Sequence, residues 1–302
     1  MVDLWGYLIT PQTFNLLFMS KVFISYGDAG FKKSLRRIAK QARASHLFDR
    51  VEVYIPSDLP PSISYSPTMI YPRGGGYWVW KPWIIYDALS KCKEGDILFY
   101  VDAGCTLNSQ SDEWLEWDSV MKTHNAIVFK YRSDINYSGW EQYCEKTENC
   151  KPELKHWFKP SAEEYFTRYL GTNDYLNYNH IMSGIIIIKK TEKTPIFLQQ
   201  WLNIAVLNPS LFCDAYGEEL GRLPETFNEH RHDQAILAPL VYHYKEIDKI
   251  AILFEKSESQ KDIAAVIATR THVRSWNIWD RLLWKMNSIK KMVKHIIRRI
   301  QY

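Results

Sequence analysis

Short, nearly continuous apolar runs alternate along the chain with stretches of helical spacing. Lys21–Tyr26 (KVFISY) is rich in β-branched and aromatic residues and is followed by Gly27, Asp28 and Gly30, which predicts a buried strand running into a turn. Residues 31–44 have helical spacing with basic residues on one side, and 51–55 reads as a second strand. A Pro- and Ser-rich loop over 56–72 closes on Arg73 and the triplet Gly74, Gly75 and Gly76. Pro82 then suits the first turn of a helix reaching about residue 91. The run 96–101 (DILFYV) is an almost wholly apolar strand ending in Asp102-Ala103-Gly104-Cys105, and Ala126–Lys130 is another candidate. Residues 134–180 are irregular, aromatic and polar. Beyond them a buried strand is expected over 181–190, a helix over 195–206, a loop containing FNEHRHDQAILAPL and a strand near 250–254. Strands alternating with helices in this way predict an α/β fold with a mixed, mostly parallel sheet covered by helices.

Three segments are expected: an N-terminal extension of unassigned role (1–18), a catalytic body (19–275) and a tail (276–302). The run over 4–18 is broken by Pro11, Gln12 and Asn15 and is preceded by no basic cluster, so a signal peptide is not expected. No stretch approaches the roughly 18 apolar residues of a spanning helix. The net charge of +4 hides an asymmetry: from Arg281 onward there are seven basic residues and no acid, which leaves the preceding body at −3. Apolar residues at three- and four-residue spacing between those lysines and arginines predict a basic amphipathic helix, suited to an anionic membrane surface. A helix packed on the body with its charges solvated would read the same way. No basic stripe extends beyond the tail, so nucleic acid is not an expected partner.

Five cysteines have no metal-type spacing. Cys144 and Cys150 are close enough in sequence for a small disulfide in an oxidising compartment, but reduced thiols in a cytoplasmic protein are preferred. Twelve Trp and nineteen Tyr exceed what a core of this size needs. They suit either aromatic-rich packing or flat platforms for sugar rings.

The chemistry concentrates in three blocks. In GDILFYVDAGCTLN, Asp102 stands where an open α/β sheet meets its ligands, beyond the carboxyl end of a strand. There a carboxylate can hold Mn²⁺ or Mg²⁺ against a diphosphate, and Gly104 lets the backbone approach closely. A turn-capping Asp is the plainer alternative. In YPRGGGYWVWKPW, glycines precede a helix start, a place that favours anions, with Arg73 and Lys81 adding positive charge. In EHRHDQ, His230 and His232 are two apart and would not share a helical face. A buried Asp233 therefore suits a glycosyl-transfer site better than a separate zinc site, unless it simply caps a short helix beginning at Gln234.

Together these blocks resemble a group of bacterial polysaccharide-associated glycosyltransferases of the GT-A type. Its members carry a G-Y-G-Y-W-x-W-K-P block, a strand ending D-A-G-C, and E-H-R-H-D-Q. More distantly the chain is similar to retaining enzymes such as glycosyltransferase family 8 and the galactosyl- and mannosyltransferases with an H-x-D-Q motif. The resemblance implies a GT-A-like fold, a nucleotide-sugar donor, a glycan or lipid-linked acceptor in envelope polysaccharide synthesis, and a Mn²⁺ or Mg²⁺ cofactor. By the same resemblance Asp102 matches the first Asp of a D-x-D metal motif, while Gly104 occupies the place of the second. Ser183 and Gly184 match a segment lining the donor sugar, Asp233 and Gln234 the D-Q pair near the reacting centre, and His272 a late metal-binding histidine. Arg73, Gly75, Tyr77, Trp78 and Lys81 complete the expected donor side; Gly75 replaces the usual Tyr. The expected location is cytoplasmic, peripheral on the inner face of the cytoplasmic membrane. Two rivals are a non-catalytic glycan-binding protein on the same scaffold and a sugar nucleotidyltransferase. The second usually has a glycine-rich, lysine-containing loop after its first strand, and YGDAGFKKS matches that poorly.

Overall fold

The computed structural model describes residues 19–137, 140, 144 and 150–269. Six strands form one sheet in the order β2-β1-β3-β6-β5-β7. In chain order the elements are β1 (Lys21–Tyr26), α1 (Lys32–Ser45), β2 (Arg50–Tyr54), α2 (Lys81–Ser90), β3 (Ile97–Val101), β4 (Thr106–Leu107), α3 (Glu113–Val120) and β5 (Ala126–Lys130). They continue with α4 (Pro160–Leu170), β6 (Ile181–Lys189), α5 (Ile196–Leu207), α6 (His232–Tyr244), β7 (Ile250–Phe254) and β8 (Val266–Ile267). The pairs β1/β2, β1/β3 and β5/β7 are parallel, and β6 runs against both β3 and β5. The sheet is therefore mixed and mostly parallel, as the alternating pattern implies. A separate ribbon, β4 with β8, pairs the DAGC turn region with residues 266–267.

Alternate residues of each strand face opposite helical layers, which explains runs that are apolar throughout. Val22, Ile24, Leu98, Tyr100, Ile186 and Ile188 pack with α2, α5 and α6 on one face. Phe23, Phe99, Val101, Ile127, Ile185 and Ile187 pack with α1 and α3 on the other. In the first layer Phe197 and Trp201 of α5 are fully buried; emptying such an aromatic site costs about 3–5 kcal/mol. Among the described residues Trp80, Trp114, Trp117, Trp140, Trp157 and Trp201 are buried. The aromatic surplus is thus mostly packing, with Trp78 and Trp83 left partly exposed.

Several sequence expectations need correction. The region 134–180 contains α4, whose apolar face (Ala162, Phe166) is buried and which ends on Gly171 in a left-handed conformation. Most of the segment expected as a loop, from His232 onward, is in fact the thirteen-residue α6 running through Pro239, while Glu229, His230 and Arg231 precede it in irregular backbone. Its residues Ala235, Ile236, Leu237, Ala238, Leu240 and Val241 are all fully buried, so it is apolar all round and lacks the one-sided period that marks a surface helix. Cys144 and Cys150 are joined in a disulfide, their Cα atoms 5.7 Å apart and within bridging reach, where reduced thiols were expected. Cys92, Cys105 and Cys213 are buried free thiols. The extension 1–18 and the tail 276–302 lie outside the described residues, and no described helix is long and apolar enough to cross a membrane.

Candidate active site

The site is built where β3 ends. Because β6 is antiparallel to β3, its first residues lie beside the last residues of β3, with Val101 opposite Ile185. The Asp102 amide donates to the Gly184 carbonyl at 2.9 Å, so Ser183 and Gly184 flank the Asp102 carboxylate. A Cβ on Gly184 would stand 3.1 Å from Asp102 Oδ2. The turn after Asp102 is held from behind by Arg37 of α1, which donates to the carbonyls of Ala103 (3.1 Å) and Cys105 (2.7 Å). Thr269 Oγ1 donates to the Gly104 carbonyl.

Into this corner α2 sends its first residue. Lys81 is 1% exposed, and its ammonium lies 2.6 Å from Asp233 Oδ2 and 3.3 Å from Asp102 Oδ1. It also donates to Ser183 Oγ at 3.1 Å, and Ser183 passes a hydrogen bond to Asp233 Oδ2 at 2.6 Å. Tyr100 donates its phenol to Asp102 Oδ1. Burial alone would lower the Lys81 pKa, but Asp102 and Asp233 outweigh it and hold the ammonium above the ordinary lysine value. Burial, and then the Asp102 charge, push the Tyr100 phenol well up, so it remains a donor. Asp233 does not cap α6: the residue before the helix, Arg231, has no side-chain cap bond, and the Asp233 carboxylate turns to Lys81. Gln234 is half-buried one position further on. Asp102, with a third of its side chain exposed, is the acid of this cluster that meets solvent.

A second group of polar residues lies around the head of α6. The glycine triplet is not an open loop: Gly74, Gly75, Gly76, Tyr77 and Trp78 all have positive φ, between 56° and 97°. They form one left-handed turn closed by Tyr77 N–H to Arg73 O and Trp78 N–H to Gly74 O. Left-handed backbone costs roughly 1–2 kcal/mol per residue carrying a Cβ, which explains the glycines and marks Tyr77 and Trp78 as strained. The turn also separates the glycines from the start of α2, so they do not form its anion-binding end. Instead it aims Tyr77 and Trp78 at the His232 ring, with centroids 4.8 Å and 5.5 Å away. Trp80, just beyond, stacks on Tyr26 at 3.9 Å.

Arg73 pairs with Glu229 and lies 3.6 Å from Asp214, whose Oδ2 accepts from Tyr77 at 2.9 Å. His232 also has positive φ (47°) and is 3% exposed. Its Nδ1 must donate to the Phe212 carbonyl at 2.7 Å, which leaves Nε2 bare and buried, 3.8 Å from Asp214 Oδ1. His230 is fully used, bonded through Nε2 to the Leu211 carbonyl and through Nδ1 to the Lys159 amide. Burial and then the Arg73 charge keep His232 neutral, its pKa well below the ordinary value.

No protein-family model matches the chain, and no curated protein does. Among solved structures it is similar to mouse xyloside xylosyltransferase 1 in its apo form, at 9% identity and a TM-score of 0.36, over 78% of this chain and 84% of that one. It is also similar to a glycosyltransferase involved in glycosylation of the major capsid of PBCV-1, at 12% identity and a TM-score of 0.33, over 80% and 98% of the two chains.

Of the expected site residues, Lys81, Asp102, Ser183, Gly184 and Asp233 come together, with Gly104 in the adjoining turn. Arg73, Tyr77 and Trp78 belong to the second group, and a Cβ on Gly75 would face Asp28 and Trp80. His272 lies outside the described residues. Sequence reasoning missed Tyr100, Arg37 and Asp214. Tyr100 had a usable signal, since its hydroxyl sits two residues before the acid in an otherwise apolar strand. Arg37 and Asp214 had none. An open concavity beside β2, lined by Glu52, Tyr54, Asp58, Trp83, Asp87 and Lys91, holds none of these groups.

Proposed function

We propose that this chain transfers a sugar from a nucleotide-sugar donor to a glycan or lipid-linked acceptor in cell-envelope polysaccharide synthesis, on a GT-A-like scaffold and with retention at the anomeric carbon. One observation carries the reading. Lys81, Asp102 and Asp233, from three widely separated blocks of sequence, meet in one ion cluster whose exposed acid stands at the carboxyl end of a central strand. An enclosed cation and phenol spent on orienting a single acid suit a group that must be held still against a ligand.

A divalent cation fits this corner. Tyr100 and Lys81 occupy Asp102 Oδ1, and among the described residues Oδ2 accepts no hydrogen bond. Mg²⁺ and Mn²⁺ are commonly held by one or two carboxylates together with substrate phosphates, keeping several waters. One carboxylate oxygen is therefore enough, even with Gly104 in place of a second acid. When bound, the cation neutralises charge on the leaving diphosphate.

The protein's own residues do the rest. Asp233 and Ser183 hold Lys81, and Lys81 with Tyr100 fixes the Asp102 carboxylate. Arg73, Gly75, Tyr77 and Trp78 line the donor side, Gly184 leaves room beside the acid, and Gln234 faces the sugar. In a retaining transfer the bond from the anomeric carbon to the diphosphate oxygen breaks. A bond to the acceptor oxygen forms on the same face, and the acceptor's proton passes to the departing diphosphate. No separate protein base is needed. The basic tail would hold the enzyme at an anionic membrane surface on the cytoplasmic side. The Cys144–Cys150 bridge pulls the other way on compartment, since reducing conditions disfavour such bonds.

The test is a thermal-shift and hydrolysis screen of UDP-, GDP- and CMP-sugars with and without Mn²⁺, on wild type and Asp102→Asn. Metal-dependent stabilisation and turnover with one donor, lost in the variant while its fold is kept, is the expected result. No response to any donor would sink the transferase reading and favour a glycan-binding protein.

A further inference from the structure

We infer that His232, Asp214 and Glu229 form a binding site for a divalent transition metal, distinct from the Asp102 corner. One ligand atom from each lies within 4.8 Å of the others. Two acids and a histidine near a surface are common without an ion. Here the decisive observation is that the histidine is buried and aimed inward with its lone pair unused. His232 is 3% exposed, its Nδ1 hydrogen goes to the Phe212 carbonyl, and Nε2 has no partner among the described residues. A buried ring nitrogen without a hydrogen bond is costly unless something fills the place. A metal-bound histidine characteristically donates its other N–H to a backbone carbonyl, which fixes the ring and its tautomer, and His232 is held in just that way.

The carboxylates are prepared in the same manner. Glu229 gives one oxygen to Arg73, and its Oε2 is buried and without a partner. Asp214 Oδ2 accepts from Tyr77, while Oδ1 is the atom turned towards His232. His232 and Glu229 each keep one buried atom without a partner among the described residues, while Asp214 Oδ1, 3.8 Å from His232 Nε2, also faces the Arg73 guanidinium at 3.6 Å and would turn from it to a bound ion. In direct contact two carboxylates stand against the one guanidinium of Arg73, with the Arg231 and Lys159 charges further off. Ligands about 2.0–2.2 Å from a common metal stand roughly 3–4 Å apart, so closing the site needs pairs of ligand atoms to draw together by at most about 1–2 Å.

One nitrogen and two oxygens, with room for water or substrate, suit Zn²⁺ or Mn²⁺ and not Mg²⁺, which prefers all-oxygen ligands. Zn²⁺ should bind tighter than Mn²⁺ by the general order of divalent affinities. A metal here would pin the segment carrying Asp214 to the head of α6, one residue from Asp233. The inference does not depend on sugar transfer, because binding is expected with no donor present.

The experiment uses the full chain stripped with chelator and titrated calorimetrically with ZnCl₂, MnCl₂ or MgCl₂, with Co²⁺ absorption as a second readout. Wild type and Asp102→Asn should each bind one equivalent of Zn²⁺, and Co²⁺ should give imidazole-ligated visible bands. His232→Gln and Glu229→Gln, checked for folding by their melting in chelator, should weaken binding by more than the roughly 10–100-fold that losing an outer-shell partner costs. Three results would overturn the site: no saturable Zn²⁺ binding by wild type, affinity unchanged in both variants, or binding lost only in Asp102→Asn. A failure of the donor screen alongside intact Zn²⁺ binding would end the transferase reading and leave this one standing.

Discussion

The two polar clusters flanking the head of α6 sit one residue apart in sequence and are built on opposite principles. Around Lys81 the principal charges answer one another: an ammonium between two carboxylates, a serine bridging one of them and a phenol bound to the other. Around His232 the ring has one nitrogen engaged, Glu229 has one oxygen engaged, Asp214 faces Tyr77 and Arg73, and two buried acceptors, His232 Nε2 and Glu229 Oε2, are left over among the described residues. The first cluster answers its buried charges within the protein and leaves only the exposed Asp102 Oδ2 open. The second is incomplete and makes sense with something added. A closed cluster should fail when one member is removed, whereas an open one should gain when a ligand is supplied.

The largest expected effect breaks the closed cluster. Lys81→Met leaves Asp233 buried without its cation and should cost about 3–5 kcal/mol in urea unfolding. Lys81→Met with Asp233→Leu should recover part of that, since an apolar pair replaces a broken ionic one. A loss below about 1 kcal/mol in the single variant would mean that the cluster is not closed.

Acid separates satisfied from orphaned groups. His180, at the entry to β6, is 1% exposed with both ring nitrogens unpartnered among the described residues, and burial first, then Arg231, drives its pKa well below the ordinary value. The unfolded chain takes up that proton near pH 6.5 while the folded protein does not, so stability falls as pH drops below that point. Between pH 7 and 5 this one residue should remove about 2 kcal/mol, and His180→Phe should abolish that share of the pH dependence. Lys81 contributes nothing in the same window, because its raised pKa means its contribution is lost only as pH climbs above the usual lysine range.

Gly184→Ala sharpens the comparison from the functional side. Its Cβ would press on Asp102 Oδ2 from 3.1 Å, shifting the acid by a few tenths of an ångström. Turnover should fall about tenfold or more, while stability changes by less than about 1 kcal/mol. Equal losses in both would show that the carboxylate's position is structural only. The smallest effect is expected at Arg222–Glu164, an ion pair more than half exposed on both sides. Arg222→Ala should cost under about 1 kcal/mol, and less in high salt. Denaturation curves at two salt concentrations check it, and a larger loss would undercut the contrast between buried and surface charge.

Much of the body was legible from local pattern. β1, β5 and β7 occupy the runs their apolar residues predict; for β1 and β5, buried on both faces, a short apolar run is all that is needed. The helices α4 and α6 were harder for opposite reasons. The face of α4 is diluted by tyrosines and charged residues, and α6 is apolar all round and crosses a proline. The three chemistry-bearing blocks could be picked out by residue type, but not their division into two clusters. Nothing near Lys81 in sequence indicates that it points inward, and nothing near His232 indicates that its Nε2 is left bare.

By itself, then, the sequence determined the alternation of strands and helices, the acid at the end of β3, and a glycine triplet where the backbone turns left-handed. Periodicity, residue size and φ preference act within a few residues and need no distant partner. Tertiary structure decided what those residues face. The reversal of β6 puts Ser183 and Gly184 beside Asp102, and the placement of α6 sends Asp233 to Lys81 and its neighbour His232 to Asp214 and Glu229. Ion pairing and orphaned lone pairs depend on which segments meet across the sheet, and that is settled only when the whole core closes.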